Sequence, residues 1–295
     1  MTPPERRALA RQITRLANAT VEEALALDSG NDARRPLIGI TGPPGVGKSS
    51  LIAKLALRRV ASLGSLAILA IDPTSPLSGG AILGDRIRMG ELVDDPRIFI
   101  RSLATRGAQD GLADNLPLII ARLVQSDFAE VMLETVGVGQ VEYAVRGMVD
   151  TMLLVLAPGA GDQIQAMKSG ILEIPDIFVI NKADLPGADM VAREIRSVLH
   201  LRTPRPGSWP PVIVKVSSER GDGIDELSGA IDRHRAWLSD NHSLDAGIEW
   251  RRAILRSLVA RRRDDALARL DDGALAGQLR DVFDTLLVEM AKTKA

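Results

Sequence analysis

The chain has 295 residues, with 37 Lys and Arg against 38 Asp and Glu for a net charge of −1. So even a balance argues against a global electrostatic grip on nucleic acid or an anionic membrane, and aromatics at 3% leave little for stacking bases. Cysteine is absent and the three histidines (His200, His234, His242) are scattered, which excludes disulfides and thiolate chemistry and leaves a His-rich metal site little to draw on.

The N-terminal stretch is charged from Glu5 onward and has no uninterrupted apolar core, unlike a signal peptide, and no run approaches the roughly 18 apolar residues of a membrane span. A cytoplasmic protein without membrane contact is expected. Leu9, Ile13 and Leu16 recur at helical spacing, and Thr20 with Glu23 forms a capping-box pattern that opens a second helix. These elements are read as a helical extension over residues 1–35.

From Leu37 the pattern changes. Apolar runs at 37–41 (LIGIT), 66–71 (LAILAI), 98–100 (IFI), 131–134 (VMLE), 151–157 (TMLLVLA), 177–181 (IFVIN) and 211–217 (PVIVKVS) are separated mostly by segments of helical spacing. Continuous apolar strands alternating with helices predict an α/β fold, a mostly parallel sheet sandwiched by helices, over residues 36–240. Ile224, Leu227, Ile231 and Leu238 mark a closing helix on whose apolar stripe His234 is read as a packing residue. Over residues 241–295 the pattern is helical only, with one stripe at Trp250, Ile254 and Leu258 and another at Leu275, Leu279, Val282, Phe283, Leu286, Leu287 and Met290. The stripes suit either a layer packed on the same domain or an arm pairing with a second subunit. Arg261, Arg262 and Arg263 between them are expected on a solvated face.

Gly42-Pro43-Pro44-Gly45-Val46-Gly47-Lys48-Ser49 fits G-x-x-x-x-G-K-S between a strand and a helix, the context that a phosphate-binding P-loop requires. Its glycines let backbone N–H groups curve around phosphate oxygens at a helix N-terminus. Lys48 is expected at the β- and γ-phosphates as a catalytic cation, and the Ser49 hydroxyl on Mg²⁺. Glu134 ends a strand and opens Glu134-Thr-Val-Gly137, where many GTPases carry D-x-x-G. Asp72 ends another strand and Asp85 lies in a Gly-rich segment, so Ser49, Asp72, Asp85 and Glu134 form the candidate metal set.

Asn181-Lys182-Ala183-Asp184 follows a strand. A carboxylate there can accept from guanine N1–H and the 2-amino group together, and adenine offers neither donor, so GTP or GDP is the expected nucleotide. Lys182 can cover the base plane, Asn181 can tie loops together, and Ser217-Ser218-Glu219 supplies backbone N–H groups near the guanine oxygen. Val138 stands where Ras-like proteins carry the water-orienting Gln, which leaves Gln140 as the nearest substitute and slow intrinsic turnover as the expectation. Arg106 is an internal arginine candidate. Residues 134–140 and 158–168 are expected to be mobile loops at the nucleotide edge. The guanine reader weighs against a small-molecule P-loop kinase using ATP, and the lack of Cys against a nickel-insertion GTPase.

In this order, GPPGVGKSS, AIDPTSPLSGGAILGDRIRM, ETVGVGQVE, APGAGDQIQAMKSGI and NKAD resemble the MeaB/ArgK family, from about residue 37 to 240. The resemblance implies a P-loop GTPase acting as a homodimeric chaperone of an adenosylcobalamin-dependent acyl-CoA mutase, most often methylmalonyl-CoA mutase. Its role would be to gate cofactor loading and protect the mutase from inactivation. The same resemblance implies that Gly42 to Ser50 hold the phosphates, that residues 158–170 form an extra switch and that the C-terminal helices are the dimer arm. Gln109 and Asp110 depart from the family's usual Leu and Gly in the segment that begins at Arg106.

Overall fold

The computed structural model of the chain describes residues 1–26, 36–72, 89–104, 115–135, 145–159, 175–200, 207–241 and 245–292. Seven strands among them form one all-parallel sheet: β1 (Leu37–Thr41), β2 (Leu66–Asp72), β3 (Ile98–Ala104), β4 (Glu130–Glu134), β5 (Thr151–Leu156), β6 (Ile177–Ile180) and β7 (Val212–Lys215). Their order across the sheet is β3-β2-β4-β1-β5-β6-β7. β1 therefore lies mid-sheet, with Ile40 beside Glu134 of β4 and Thr41 beside Leu154 of β5, so the loop leaving β1 opens between two strand ends. Ligand-binding loops gather where a parallel sheet's order changes direction in this way.

Residue alternation divides the core between the two faces. Ile38, Ile40, Ile68, Met132, Leu153 and Val179 pack under α3 (Lys48–Leu63) and α7 (Ile224–Asn241). On the opposite face, Leu37, Leu69, Leu133 and Met152 meet α1 (Pro3–Asn18), α2 (Val21–Ala26), α5 (Leu116–Val124) and Leu258 of α8 (Asp245–Leu267). α6 (Ala188–His200) covers Leu154, Leu156, Phe178 and Ile180 on that same face. Because both faces are covered, the strands read as continuous apolar runs.

The N-terminal elements form as the sequence suggests. Thr20 N donates to Glu23 Oε2 at 2.8 Å and Glu23 N to Thr20 Oγ1 at 3.2 Å, completing the capping box of α2. Leu9, Ile13 and Leu16 of α1 are buried against the sheet's helices, and Asn115 Nδ2 caps the end of α1 by donating to the Leu16 and Ala19 carbonyls.

Of the two C-terminal stripes, the first joins the core and the second is only partly covered. Trp250, Ile254 and Leu258 of α8 join the core, whereas on α10 (Leu279–Ala291) Leu279 is 85% exposed and Phe283 57%. A four-residue turn of helix, α9 (Asp272–Leu275), links the pair, and α10 lies against α8. Between α8 and α10 runs an open apolar groove of about 500 Å³ lined by Leu255, Val259, Phe283 and Leu287 with Arg252 and Arg256. Of the basic run expected on a solvated face, Arg263 is exposed, whereas Arg262 pairs with Glu22 of α2 at 2.8 Å, fastening α8 to the N-terminal helices. A short helix, α4 (Gly90–Val93), precedes β3. No helix among the described residues is long and apolar enough to cross a membrane.

Candidate nucleotide site

The loop after β1 turns on glycines that no other residue replaces easily. Gly42 has φ +148°, and a Cβ there would sit 2.2 Å from the Val155 carbonyl oxygen. Gly47 has φ +87°, and a Cβ would meet Asn181 Nδ2 at 2.6 Å. The loop thus passes tightly between β5 and the loop after β6. Lys48 is buried, and its ammonium donates to the carbonyls of Gly42 at 2.7 Å and Pro43 at 2.9 Å. Pro44, Gly45 and Ser50 are exposed, while Val46 is buried in the core.

Two of the four candidate metal residues meet. The Ser49 hydroxyl at the start of α3 donates to Glu134 Oε1 at 2.9 Å, joining residues 85 positions apart. A hydroxyl and a carboxylate, both hard oxygen donors, form a set that suits Mg²⁺. The backbone of Asp72 ends β2 two residues beyond Ala70, the partner of Glu134, on the same edge of the sheet. Asp85, Gln140, Val138, Arg106, Gln109 and Asp110 lie outside the described residues, as do 136–140 and 160–168 of the two expected loops. No cluster of three or more metal-ligating side chains occurs among the described residues.

The loop after β6 is built as a brace. Asn181, fully buried, donates through Nδ2 to the Val46 carbonyl at 2.9 Å and accepts from the Ser218 N–H through Oδ1 at 3.1 Å. It therefore holds the phosphate loop and the loop after β7 in one frame. Lys182, at φ +55°, extends to the Gly45 carbonyl at 2.8 Å. The loop after β7 closes on itself, with Ser217 N donating to the Asp222 carbonyl at 3.0 Å and Gly221 N to the Ser217 carbonyl at 2.7 Å.

That closed loop presents the Ser217 hydroxyl to Asp184. A hydrogen bond from Ser217 holds the Asp184 carboxyl below the usual carboxylate range, aided by the residue's own backbone N–H and by Arg220. Arg220 Nε lies 4.0 Å from Asp184 Oδ2, and Arg220 N donates to Ser217 Oγ at 3.2 Å. An ionised, oriented acceptor is what reading two donors on one base edge requires. Glu219 is exposed, and the Ser218 N–H expected near the base is engaged by Asn181. Arg220 was not foreseen from the sequence: it lies one residue past Ser217–Glu219, and spacing alone gives no sign that the turn folds back.

Comparison with known proteins adds family and fold. The family described as methylmalonyl Co-A mutase-associated GTPase MeaB matches residues 9–269. A Pyrococcus horikoshii protein named "Putative GTPase" is 37% identical over 280 residues, 91% of this chain and 87% of that one. The mouse protein named methylmalonic aciduria type A homolog, mitochondrial, is 37% identical over 221 residues, 72% of this chain and 53% of that one. Among solved structures, one titled LAO/AO transport system kinase aligns at a TM-score of 0.56 with 24% identity, covering 97% of this chain and 98% of that chain, a likeness of fold.

Proposed function

Since the chain belongs to the MeaB family and is a nucleotide-binding P-loop GTPase, we propose that it is a cytoplasmic, homodimeric chaperone of an adenosylcobalamin-dependent acyl-CoA mutase, methylmalonyl-CoA mutase or a related one. Its GTP state would gate cofactor loading and protect the partner from inactivation. The observation that carries this reading is the family match across residues 9–269, whose description names the mutase, supported by the methylmalonic aciduria in the mouse relative's name.

In this proposal residues 36–240 are the GTP-binding domain, 1–35 its helical extension and 241–295 the arm through which two copies pair. Gly42 to Ser50 cradle the phosphates with backbone N–H groups, and Lys48 leaves the Gly42 and Pro43 carbonyls for the β- and γ-oxygens. Asp184 accepts from the guanine edge, Lys182 covers the base plane, and Asn181 with Ser217, Ser218 and Glu219 frames the base. Ser49 and Glu134, with Asp72 and Asp85, hold Mg²⁺, which when bound supplies positive charge to the phosphates. Gln140 orients the attacking water. The supports are the Ser49–Glu134 contact and the ionised Asp184.

The test is co-purification of the full chain with candidate acyl-CoA mutases in the presence of GTP, of GDP, or of neither. Association that changes with nucleotide is expected; no association with any cobalamin mutase in all three conditions sinks the chaperone role while leaving the GTPase assignment intact.

A further inference from the structure

At the end of the sheet opposite the candidate site lies a buried ionic cluster that no step above uses. Arg59 of α3 is 1% exposed and Glu130, the first residue of β4, is 0% exposed. Arg59 Nε and Nη2 reach the two oxygens of Glu130, each at 2.5 Å, as a bidentate fork. The remaining guanidinium donors are also engaged, Nη1 by the Ser228 hydroxyl at 3.0 Å and Nη2 by Asp232 at 3.0 Å, both on α7. Burial raises the Glu130 carboxyl above its ordinary range, and the Arg59 hydrogen bonds and charge oppose that rise.

α3 and β4 run antiparallel and touch through polar side chains at both ends. Ten residues of helix separate Ser49 from Arg59, about 15 Å of rise. Four residues of strand separate Glu134 from Glu130, about 13 Å. The two spans match, so the fork at one end fixes where along β4 the other end of α3 comes to rest, which is where Ser49 meets Glu134 at 2.9 Å. A fork has one seated geometry, whereas a single ammonium contact permits sliding and rotation.

We propose that Arg59 is a positioning residue for magnesium: by seating on Glu130 it sets the register of α3 along β4 and so the separation of Ser49 and Glu134. The inference rests on the reading of Ser49 and Glu134 as metal ligands.

The experiment titrates Mg²⁺ against a fluorescent GTP analogue bound to the full chain, comparing wild type with Arg59→Lys, Glu130→Gln and Asp232→Ala, with GTP-over-ATP preference and melting temperature measured in parallel. Arg59→Lys and Glu130→Gln are expected to raise the half-saturating Mg²⁺ concentration roughly three- to tenfold with base preference unchanged. Asp232→Ala, which keeps the fork, should leave that concentration at the wild-type value. Global weakening would instead depress GTP and ATP binding together at every Mg²⁺ concentration, and that result overturns the proposal. So does a wild-type half-point in both fork variants. If Arg59→Lys does not fold, Glu130→Gln decides alone. A wild type whose GTP binding ignores Mg²⁺ would instead remove the metal reading of Ser49 and Glu134.

Discussion

His234 Nε2 lies 3.5 Å from Asp176 Oδ1 at the base of the sheet, while the ring's other nitrogen shares a hydrogen bond of 2.9 Å with the Thr151 hydroxyl. The pair closes the ends of β5 and β6, where Asp176 Oδ2 accepts from Met152 N at 2.8 Å and Oδ1 from Arg146 at 3.0 Å. Trp209 and Trp237 flank the imidazole at centroid distances of 4.8 and 5.9 Å. Burial, with a smaller contribution from Arg146, lowers His234 from 6.5 to about 4. Burial raises Asp176 from 3.8 to about 6, against the pull of Arg146 and the Met152 N–H.

These two shifts give opposite slopes of stability with pH. Between about 4 and 6.5 the unfolded chain binds more protons at His234, so stability falls as pH falls through that window. Between 3.8 and about 6 the folded chain binds more at Asp176, so stability falls as pH rises. Together they nearly cancel between pH 4 and 6. His234→Gln removes one slope, so its melting temperature, relative to wild type measured at the same pH, should drop progressively as pH is raised from 4 to 6, by the equivalent of about 2 kcal/mol. A constant difference across that range would refute the lowered pKa of His234, since the Asp176 slope is common to both chains.

Gly42→Ala places a methyl on the Val155 carbonyl, which cannot yield without moving β5. Loss of about 3 kcal/mol of stability or more is expected in chemical denaturation. Gly45→Ala meets no atom within 4 Å, and φ +81° there should cost only about 1 kcal/mol. Equal costs at the two positions would contradict the tight passage of the loop past β5.

Asp184→Asn exchanges a charged acceptor for an amide that can pair with only one guanine donor. GTP binding should weaken roughly 10- to 100-fold, and xanthine nucleotides, whose 2-oxo group suits an amide donor, should gain. Competition binding with guanine, adenine and xanthine nucleotides measures this; unchanged guanine preference would remove Asp184 from the base site.

Phe283→Asp puts a charge on the apolar face of α10, where Phe283 is 57% exposed and lines the groove against α8. If that face joins two copies, the variant should sediment as a monomer where wild type is a dimer, with single-turnover GTP hydrolysis retained. A wild type that is monomeric at micromolar concentration would show the face to serve something else.

How much of this could be read in advance depends on range. Local periodicity and short motifs determined the alternation of buried strands and helices, the glycine loop after β1, the Asn181-Lys182-Ala183-Asp184 tetrad after β6 and the capping box at Thr20. Each depends on neighbours a few residues away, whose steric and hydrogen-bonding preferences act without the rest of the chain. Strand ends came out a few residues adrift: the three-residue run 98–100 is the start of a seven-residue strand, because Arg101 and Ser102 are polar while their backbones still pair with β2.

The opening composition, even in charge and without cysteine, excluded several chemistries and selected none. What the chain does began with motifs, and how those motifs meet was decided by the tertiary structure alone. Ser49 and Glu134, Asn181 and Val46, and Arg59 and Glu130 are 85, 135 and 71 residues apart. Each pair is brought together by parallel strand pairing and helix packing, whose contacts span distances that no window of sequence contains. The packing of Trp250, Ile254 and Leu258 beside the exposure of Leu279 and Phe283 has the same origin: both stripes are apolar, and only the space left on the sheet's outer helices determines which one is covered.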